Sequence, residues 1–217
     1  MHASQMLTNL NLITGMLGEA GVLMARGTLF YLMGASGSGK DSLLEGCRRR
    51  LPAQLRCCIA HRYITRAADV GGENHIHLSE VEFHLREELG LFAMSWFSHG
   101  YHYGIGNEID AWLDSGANVL INGSRQYLPK AMAMYPELVP VLVDVHPDKL
   151  RQRLIRRGRE TLDEIECRLA RHAQMVARMP EGTLHVSNDG KLEEGIEALL
   201  QVVVRYGREP EGLVPTS

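Results

Sequence analysis

Lysine is scarce in this chain. Of its 23 basic residues only Lys40, Lys130, Lys149 and Lys191 are lysines, so the positive charge rests on arginine, whose planar fork binds carboxylates and phosphates bidentately. A net charge of -3 argues against the basic surface of a general nucleic-acid or membrane-surface binder. Cysteine is sparse too. Cys47, Cys57, Cys58 and Cys167 form no C-x-x-C pair, and so few thiols do not make the disulfide framework of a secreted domain, which leaves free thiols in a reducing cytoplasm as the expectation. Uninterrupted apolar runs of membrane-spanning length are missing. Residues 1–26 have an apolar flavour but are broken by polar residues and glycines and lack the positive start of a signal peptide, so a poorly ordered or helical extension is expected there. Internal repeats, heptads and low-complexity blocks are absent as well.

What remains is an alternation. Thr28 to Met33, "TLFYLM", is a strand-length apolar run leading into the glycine-rich "GASGSGKDS" (34–42), and Asp41 to Arg50 has the pattern of a helix. Further strand-length runs fall at 57–64, 91–97, 118–122, 138–145 and 183–187. Helical patterns fall near 79–89, 105–115, 124–134, 147–157, 161–178 and 191–206. Such alternation predicts an α/β domain over 27–206, a mostly parallel sheet covered by helices on both faces, with small additional subdomains. The segment 207–217, rich in Gly and Pro, reads as a loose tail.

Gly34, Gly39 and Lys40 fit the P-loop spacing G-x-x-x-x-G-K, with Gly37 as an inner glycine. In such a loop Gly34, Ala35, Ser36, Gly37, Ser38 and Gly39 turn backbone N–H groups toward the phosphates of ATP at a helix N-terminus, and Lys40 reaches the β and γ phosphates. The residue after the lysine normally offers a hydroxyl to magnesium. Here it is Asp41, with a hydroxyl one place later at Ser42. Asp41 is read three ways: a metal contact, direct or through water, a group facing the phosphate acceptor, or an acid that favours the helix dipole. The strand 118–122 ends in Asn122, where a metal-binding acid is usual, which leaves Ser42 and Asp41 as the metal-side candidates.

From the loop onward the chain resembles the guanylate kinase branch of the nucleoside monophosphate kinases. The resemblance rests on Thr65-Arg66, Gly72-Glu73, Tyr103-Gly104, the arginine-rich "RRGRETLDEIECRL" (156–169) and Asn188-Asp189. It implies that Arg66 and Tyr103 contact the acceptor's phosphate, that 156–169 forms a lid supplying Arg157 and Arg168 to the transferring phosphoryl group, and that Asn188 lies near the adenine. Plainer readings stand beside these. Arg168, with Arg171 and Arg178, also fits a solvated helix face, Tyr101 and Tyr103 also fit ordinary strand positions, and Trp96 and Trp112 fit the core. His75-x-His77 lacks the further ligands of a metal site. Arg62, a charge within a strand-like run, needs a partner.

The guanine-reading acids of that branch are replaced: "FAMSWF" and "VLINGSRQ" carry Met94, Phe97, Ile121, Gly123 and Arg125 in their place, the family's serine becomes Arg62, and its second phosphate arginine becomes Asp69. An acceptor pocket that loses base-reading acids and gains Arg62 and Arg125 beside Arg66 suits a compound with two phosphates and no purine. The blocks "GASGSGKDS", "RYITR", "GGENH" and "NGSR" (Gly34 to Ser42, Arg62 to Arg66, Gly71 to His75, Asn122 to Arg125) are similar to those of the ribose 1,5-bisphosphate phosphokinases, relatives of guanylate kinase. That likeness implies ATP and Mg2+ as cofactors, ribose 1,5-bisphosphate as small-molecule substrate, and Arg62, Arg66, Tyr103, Asn122 and Arg125 as substrate-binding residues. It implies no nucleic-acid or membrane partner, and a monomer or a homodimer. A nucleotide kinase with an unusual acceptor and a non-catalytic guanylate kinase-like module are the alternatives.

Overall fold

The computed structural model describes residues 25–67, 73–158 and 160–208. The expected extension up to residue 24, together with Asp69, Gly71, Gly72, Arg159 and residues 209–217, lies outside them. A five-stranded, all-parallel sheet runs in the order Cys57–Ile59 (β2), Asn118–Asn122 (β7), Leu29–Gly34 (β1), Val139–Asp144 (β8) and Leu184–Ser187 (β9). Its central strand is apolar at successive positions because both faces are covered, as parallel sheets require. Phe30 and Leu32 face Leu43, Leu44 and Cys47 of α1 (Lys40–Arg50) and Ile196, Leu199 and Val203 of α7 (Leu192–Tyr206). Leu29, Tyr31 and Met33 face Ile109 and Leu113 of α3 (Glu108–Asp114) and Leu128 and Ala131 of α4 (Leu128–Met134). A third apolar cluster joins Ala35 and Val145 to Leu150 and Leu154 of α5 (Pro147–Arg157) and Ile165 and Leu169 of α6 (Leu162–Val176), so these two helices are seated directly against the glycine loop.

A second sheet of four strands runs Ile76–His77 (β4), Arg62–Ile64 (β3), Tyr101–Gly106 (β6) and Phe92–Ser98 (β5). The segment 57–64, expected as one strand, is therefore two. The chain leaves the parallel sheet after Ile59, and β3 pairs antiparallel with β6 instead. The helix expected from residue 105 starts at Glu108, because residues up to Gly106 complete β6. The β5–β6 hairpin closes through His99 (φ 51°) and Gly100 (φ 81°). Both residues are in the left-handed region that a tight two-residue turn demands, and a histidine there hides the turn from a sequence reading tuned to Asn-Gly. Phe83 of α2 (Glu80–Glu88) is fully buried against this sheet, stacked on Phe92 with ring centroids 4.6 Å apart. Among the described residues no helix is long and apolar enough to cross a membrane, and all four cysteines are free thiols.

Candidate active site

The loop after β1 is held in a shape only glycine permits. Gly37 has φ 95° and Gly39 φ 84°. A Cβ on Gly39 would come within 2.4 Å of the Asn188 amide nitrogen. That amide, just past β9, donates to the Ser38 carbonyl at 2.6 Å, and Arg153 of α5 donates to the carbonyls of Ser38 (3.3 Å) and Asn188 (2.7 Å). Gly39 caps α1 without a side chain, so the first-turn N–H groups have no side-chain acceptor and present an anion site at the positive end of the helix dipole. The Ser38 hydroxyl is buried and has no partner among the described residues. Beside the loop, a cleft of about 510 Å³ extends from Gly37, Gly39 and Ser42 to Asn188 and Leu192, with Arg153, Arg156 and Arg157 along it.

The Lys40 side chain is largely covered, 12% exposed, and its ammonium contacts the Asp41 carboxylate at 3.0 Å. Burial pushes the Lys40 pKa below its ordinary value, with Asp41 opposing. For Asp41 burial acts to raise the pKa, yet Lys40, Arg62 and the Asn122 amide together hold it below the usual carboxylate range. The residue that departs from the P-loop pattern is thus a charged carboxylate standing between the lysine and the strand end of β7.

On the other side of Asp41, the second sheet delivers a network. Arg62 grips Glu73 with both Nε and Nη2, the Nε contact being 2.6 Å, and Arg66 approaches the same carboxylate at 3.5 Å. The Asn122 amide donates at 3.1 Å both to Glu73 and to Asp41, so one nitrogen ties the two carboxylates together. The Arg62 guanidinium lies 4.9 Å from the centre of the Tyr103 ring, which stacks on Trp96 at 5.7 Å. Arg62 therefore has the partner its place in a strand demands, and Tyr103 supports it through its π face. His75, buried, bonds the main-chain carbonyls of Glu73 and Arg66, each at 2.9 Å. The His75-x-His77 pair thus braces backbone. Arg66 Nε and Asn122 Oδ1 are buried without a partner among the described residues, polar atoms of the kind a ligand satisfies. A cavity of about 300 Å³ opens here, bounded by Asp41, Asn122, Glu73 and Arg62 and continuing along α1 to Arg48 and Arg49.

Arg125 goes elsewhere. After β7 the chain turns through Gly123, where a Cβ would sit 2.2 Å from the Tyr31 ring, and the Tyr31 hydroxyl donates to the Ser124 carbonyl (2.8 Å) and accepts from its N–H (2.9 Å). This turn sends the Arg125 guanidinium to His172 Nδ1 of α6 at 2.8 Å, while His172 Nε2 lies 3.9 Å from Asp144. Burial first, and Arg125 second, lower the His172 pKa, with Asp144 opposing, so the ring accepts from Arg125 in its neutral form. Arg168 pairs with Glu160 at 2.6 Å, whereas Arg157 faces the cleft. The structure thus brings together Lys40, Asp41, Arg62, Arg66, Tyr103 and Asn122, sets Ser42, Arg157 and Asn188 on the cleft side, and holds Arg125 and Arg168 in contacts of their own. Arg153 and His172 are participants that sequence reasoning did not single out, and Glu73 was named in the family blocks without a role. The arginine spacing 153, 156, 157 on one helix carried a signal for Arg153.

No family model matches the chain. Among curated proteins it is 53% identical over 176 residues to ribose 1,5-bisphosphate phosphokinase PhnN of Desulfomicrobium baculatum, covering 81% of this chain and 94% of that one. It is 51% identical over 181 residues to the protein of the same name from Thiobacillus denitrificans, covering 83% and 94%. The chain belongs to the ribose 1,5-bisphosphate phosphokinase family. In fold it is similar to guanylate kinase from Anaplasma phagocytophilum, with a TM-score of 0.62, 19% identity and coverage of 88% of this chain and 93% of the other. The expected α/β P-loop architecture is the one observed, and both of the curated relatives are named as kinases.

Proposed function

We propose that this kinase transfers the γ-phosphoryl group of ATP to the 1-phosphate of ribose 1,5-bisphosphate, giving ADP and 5-phosphoribosyl 1-diphosphate, as the names of its relatives support. The place of such a reaction in phosphonate breakdown and in the supply of activated ribose is consistent with those names. The observation that carries the reading is the Arg62–Glu73–Arg66 cluster joined through Asn122 to Asp41. It sets phosphate-binding guanidinium groups beside the phosphate end of the loop.

Chemically the step needs little from the protein beyond alignment and charge. An oxygen of the 1-phosphate, ionised near neutral pH, forms a bond to the γ-phosphorus as the bond from that phosphorus to the β–γ bridging oxygen breaks, and ADP leaves with the electron pair. The loop N–H groups and Lys40 hold the β and γ phosphates. Arg66, with its unpartnered Nε, and Arg62, backed by Tyr103, hold the acceptor. Arg157 neutralises the transferring group from the cleft side, and Arg168 joins it if the segment 156–169 acts as a lid and the Glu160 pair opens. Magnesium fits hard oxygen donors, and the Ser42 hydroxyl and Asp41 carboxylate are the two such groups at the head of α1. Bound there, it would screen the negative charge of the phosphates. Asn188 both braces the loop and lines the nucleotide cleft.

The test is an acceptor panel with ATP and magnesium, with 5-phosphoribosyl 1-diphosphate as the product measured. Turnover of ribose 1,5-bisphosphate is the expected result, and robust phosphorylation of GMP with none of the sugar bisphosphate would overturn the reading.

A further inference from the structure

The smaller cavity holds a cation that the reading above leaves unused. α1 carries Asp41, Glu45 and Arg48 at spacings of four and three residues, hence on one face, and at the helical rise Arg48 lies about 10 Å along the axis from Asp41. The other cations of the cavity have carboxylate partners: Arg49 pairs with Glu45 at 2.9 Å, and Arg62, given above to the reacting phosphate, with Glu73. Arg48 donates instead to the Ile59 carbonyl at 3.0 Å, and among the described residues no carboxylate forms a salt bridge with it. One Nη is thereby fixed to the end of β2, and the rest of the fork is available to an anion. Its positive charge is felt nearby, since burial and then Arg48 lower the His61 pKa.

The cavity between these ends has a graded lining. Next to the loop come the carboxylates of Asp41 and Glu73, which accept hydroxyl protons, beside Arg62 and Arg66, which hold the reacting phosphate. The middle is walled by Leu44, Ile59 and Ala60, and Arg48 stands at the far end. A compound laid along α1 would meet acceptors for hydroxyls, an apolar wall for a carbon face, and then a guanidinium. We infer that Arg48 binds the phosphate of the acceptor remote from the reacting one, so that the sugar lies along α1 with its hydroxyls toward Asp41 and Glu73. This rests on the acceptor proposed above. It gives the second phosphate a seat that Arg125, engaged by His172, does not provide.

Inhibition of ribose 1,5-bisphosphate turnover by two fragments separates the ends of the site. Ribose 5-phosphate carries only the remote phosphate and ribose 1-phosphate only the reacting one. Arg48→Ala is expected to raise the inhibition constant of ribose 5-phosphate roughly 10- to 100-fold, the usual worth of a charge-assisted hydrogen bond, and to move that of ribose 1-phosphate far less. Arg48→Lys, which keeps the charge and loses the fork, should fall between, and a KM for ATP within about twofold of wild type reports an intact nucleotide side. Equal shifts for the two fragments, or none, overturn the inference while the acceptor assignment stands. A wild-type protein inactive on ribose 1,5-bisphosphate overturns both.

Discussion

The two sides of Asp41 are built in opposite ways. Toward the nucleotide, the site is backbone: nine consecutive residues, two glycines in left-handed conformations, and a helix whose first turn is left uncapped. Toward the acceptor, the site is side chain: Arg62 from β3, Arg66 and Glu73 from its flanking loops, Tyr103 from β6 and Asn122 from β7 meet around one buried carboxylate. A backbone site binds whatever carries the right phosphates, because its donors are set by φ and spacing alone. A side-chain network is selective, because each charge is tolerable only when the others are present. The contrast explains how a loop common to many kinases can serve an acceptor peculiar to one family.

The difference is broken most severely at Lys40, where the two sides touch. Lys40→Met should lower kcat about 100- to 1,000-fold, the scale for removing one preorganised charge from a phosphoryl-transfer site. The melting temperature should hold, since Lys40 is a largely covered cation whose partner Asp41 is partly exposed and keeps Asn122. Parallel loss of rate and melting temperature would assign the lysine to the fold. Next comes the acceptor network. Glu73→Ala leaves the buried Arg62 uncompensated, which should destabilise the protein by about 3 kcal/mol. A phosphate-bearing acceptor should restore part of that by taking the vacated arginines, so ribose 1,5-bisphosphate should raise the melting temperature of the variant more than that of wild type. ATP should shift both equally. Equal shifts with the sugar bisphosphate would mean that the arginines do not seat a phosphate.

A smaller effect, confined to the nucleotide side, is expected of Gly39→Ala. The left-handed φ costs an alanine about 1–2 kcal/mol, or a fall of roughly 2–8 °C in melting temperature, and the new Cβ would displace the Asn188 amide that grips Ser38. The KM for ATP should rise and that for the acceptor should not. An equal rise in both would show that the two sides share more than Asp41 and Lys40.

The same contrast governs what the sequence made legible. The loop, the helix after it, β7 at residues 118–122 and α5 at 147–157 could be read because their information is local: periodicity, glycine spacing and a helix N-terminus. Arg62 was legible as a charge in need of a partner, but its partner was not, since Glu73 lies 11 residues on and reaches Arg62 only once β4 pairs beside β3. Asn122 read as a missing metal acid and, through the family likeness, as a substrate contact; in the structure its amide joins the carboxylates of Asp41 and Glu73, a role for which an aspartate would be the wrong charge. Gly123 read only as a lost acid. What requires it is the ring of Tyr31, 92 positions earlier in the chain and adjacent only once β1 and β7 pair. Short strands and side-chain partners set by tertiary pairing leave no periodic trace.

The smallest effect probes the contact that holds Arg125 away from the acceptor cavity. His172 titrates below its ordinary value because burial, and then Arg125, disfavour the charged ring, although Asp144 favours it. In the unfolded chain the ring takes up its proton near the ordinary value of 6.5. Below that pH the unfolded state binds a proton that the folded state refuses, so stability present above it drains as the pH falls toward the folded value, by at most about 1.4 kcal/mol per pH unit. Gln does not titrate, and its side-chain oxygen can accept from Arg125. His172→Gln should therefore be less stable than wild type or equal to it at pH 7.5 in urea melts, and should gain relative to wild type at pH 5.5. His185, 3.7 Å from Asp144, shares the same carboxylate, so His172→Gln is best compared with His172→Gln carrying His185→Gln. A difference between wild type and the single variant that stays constant from pH 7.5 to 5.5 would mean that His172 keeps its proton in the folded state, and that Arg125 is not held by a neutral imidazole.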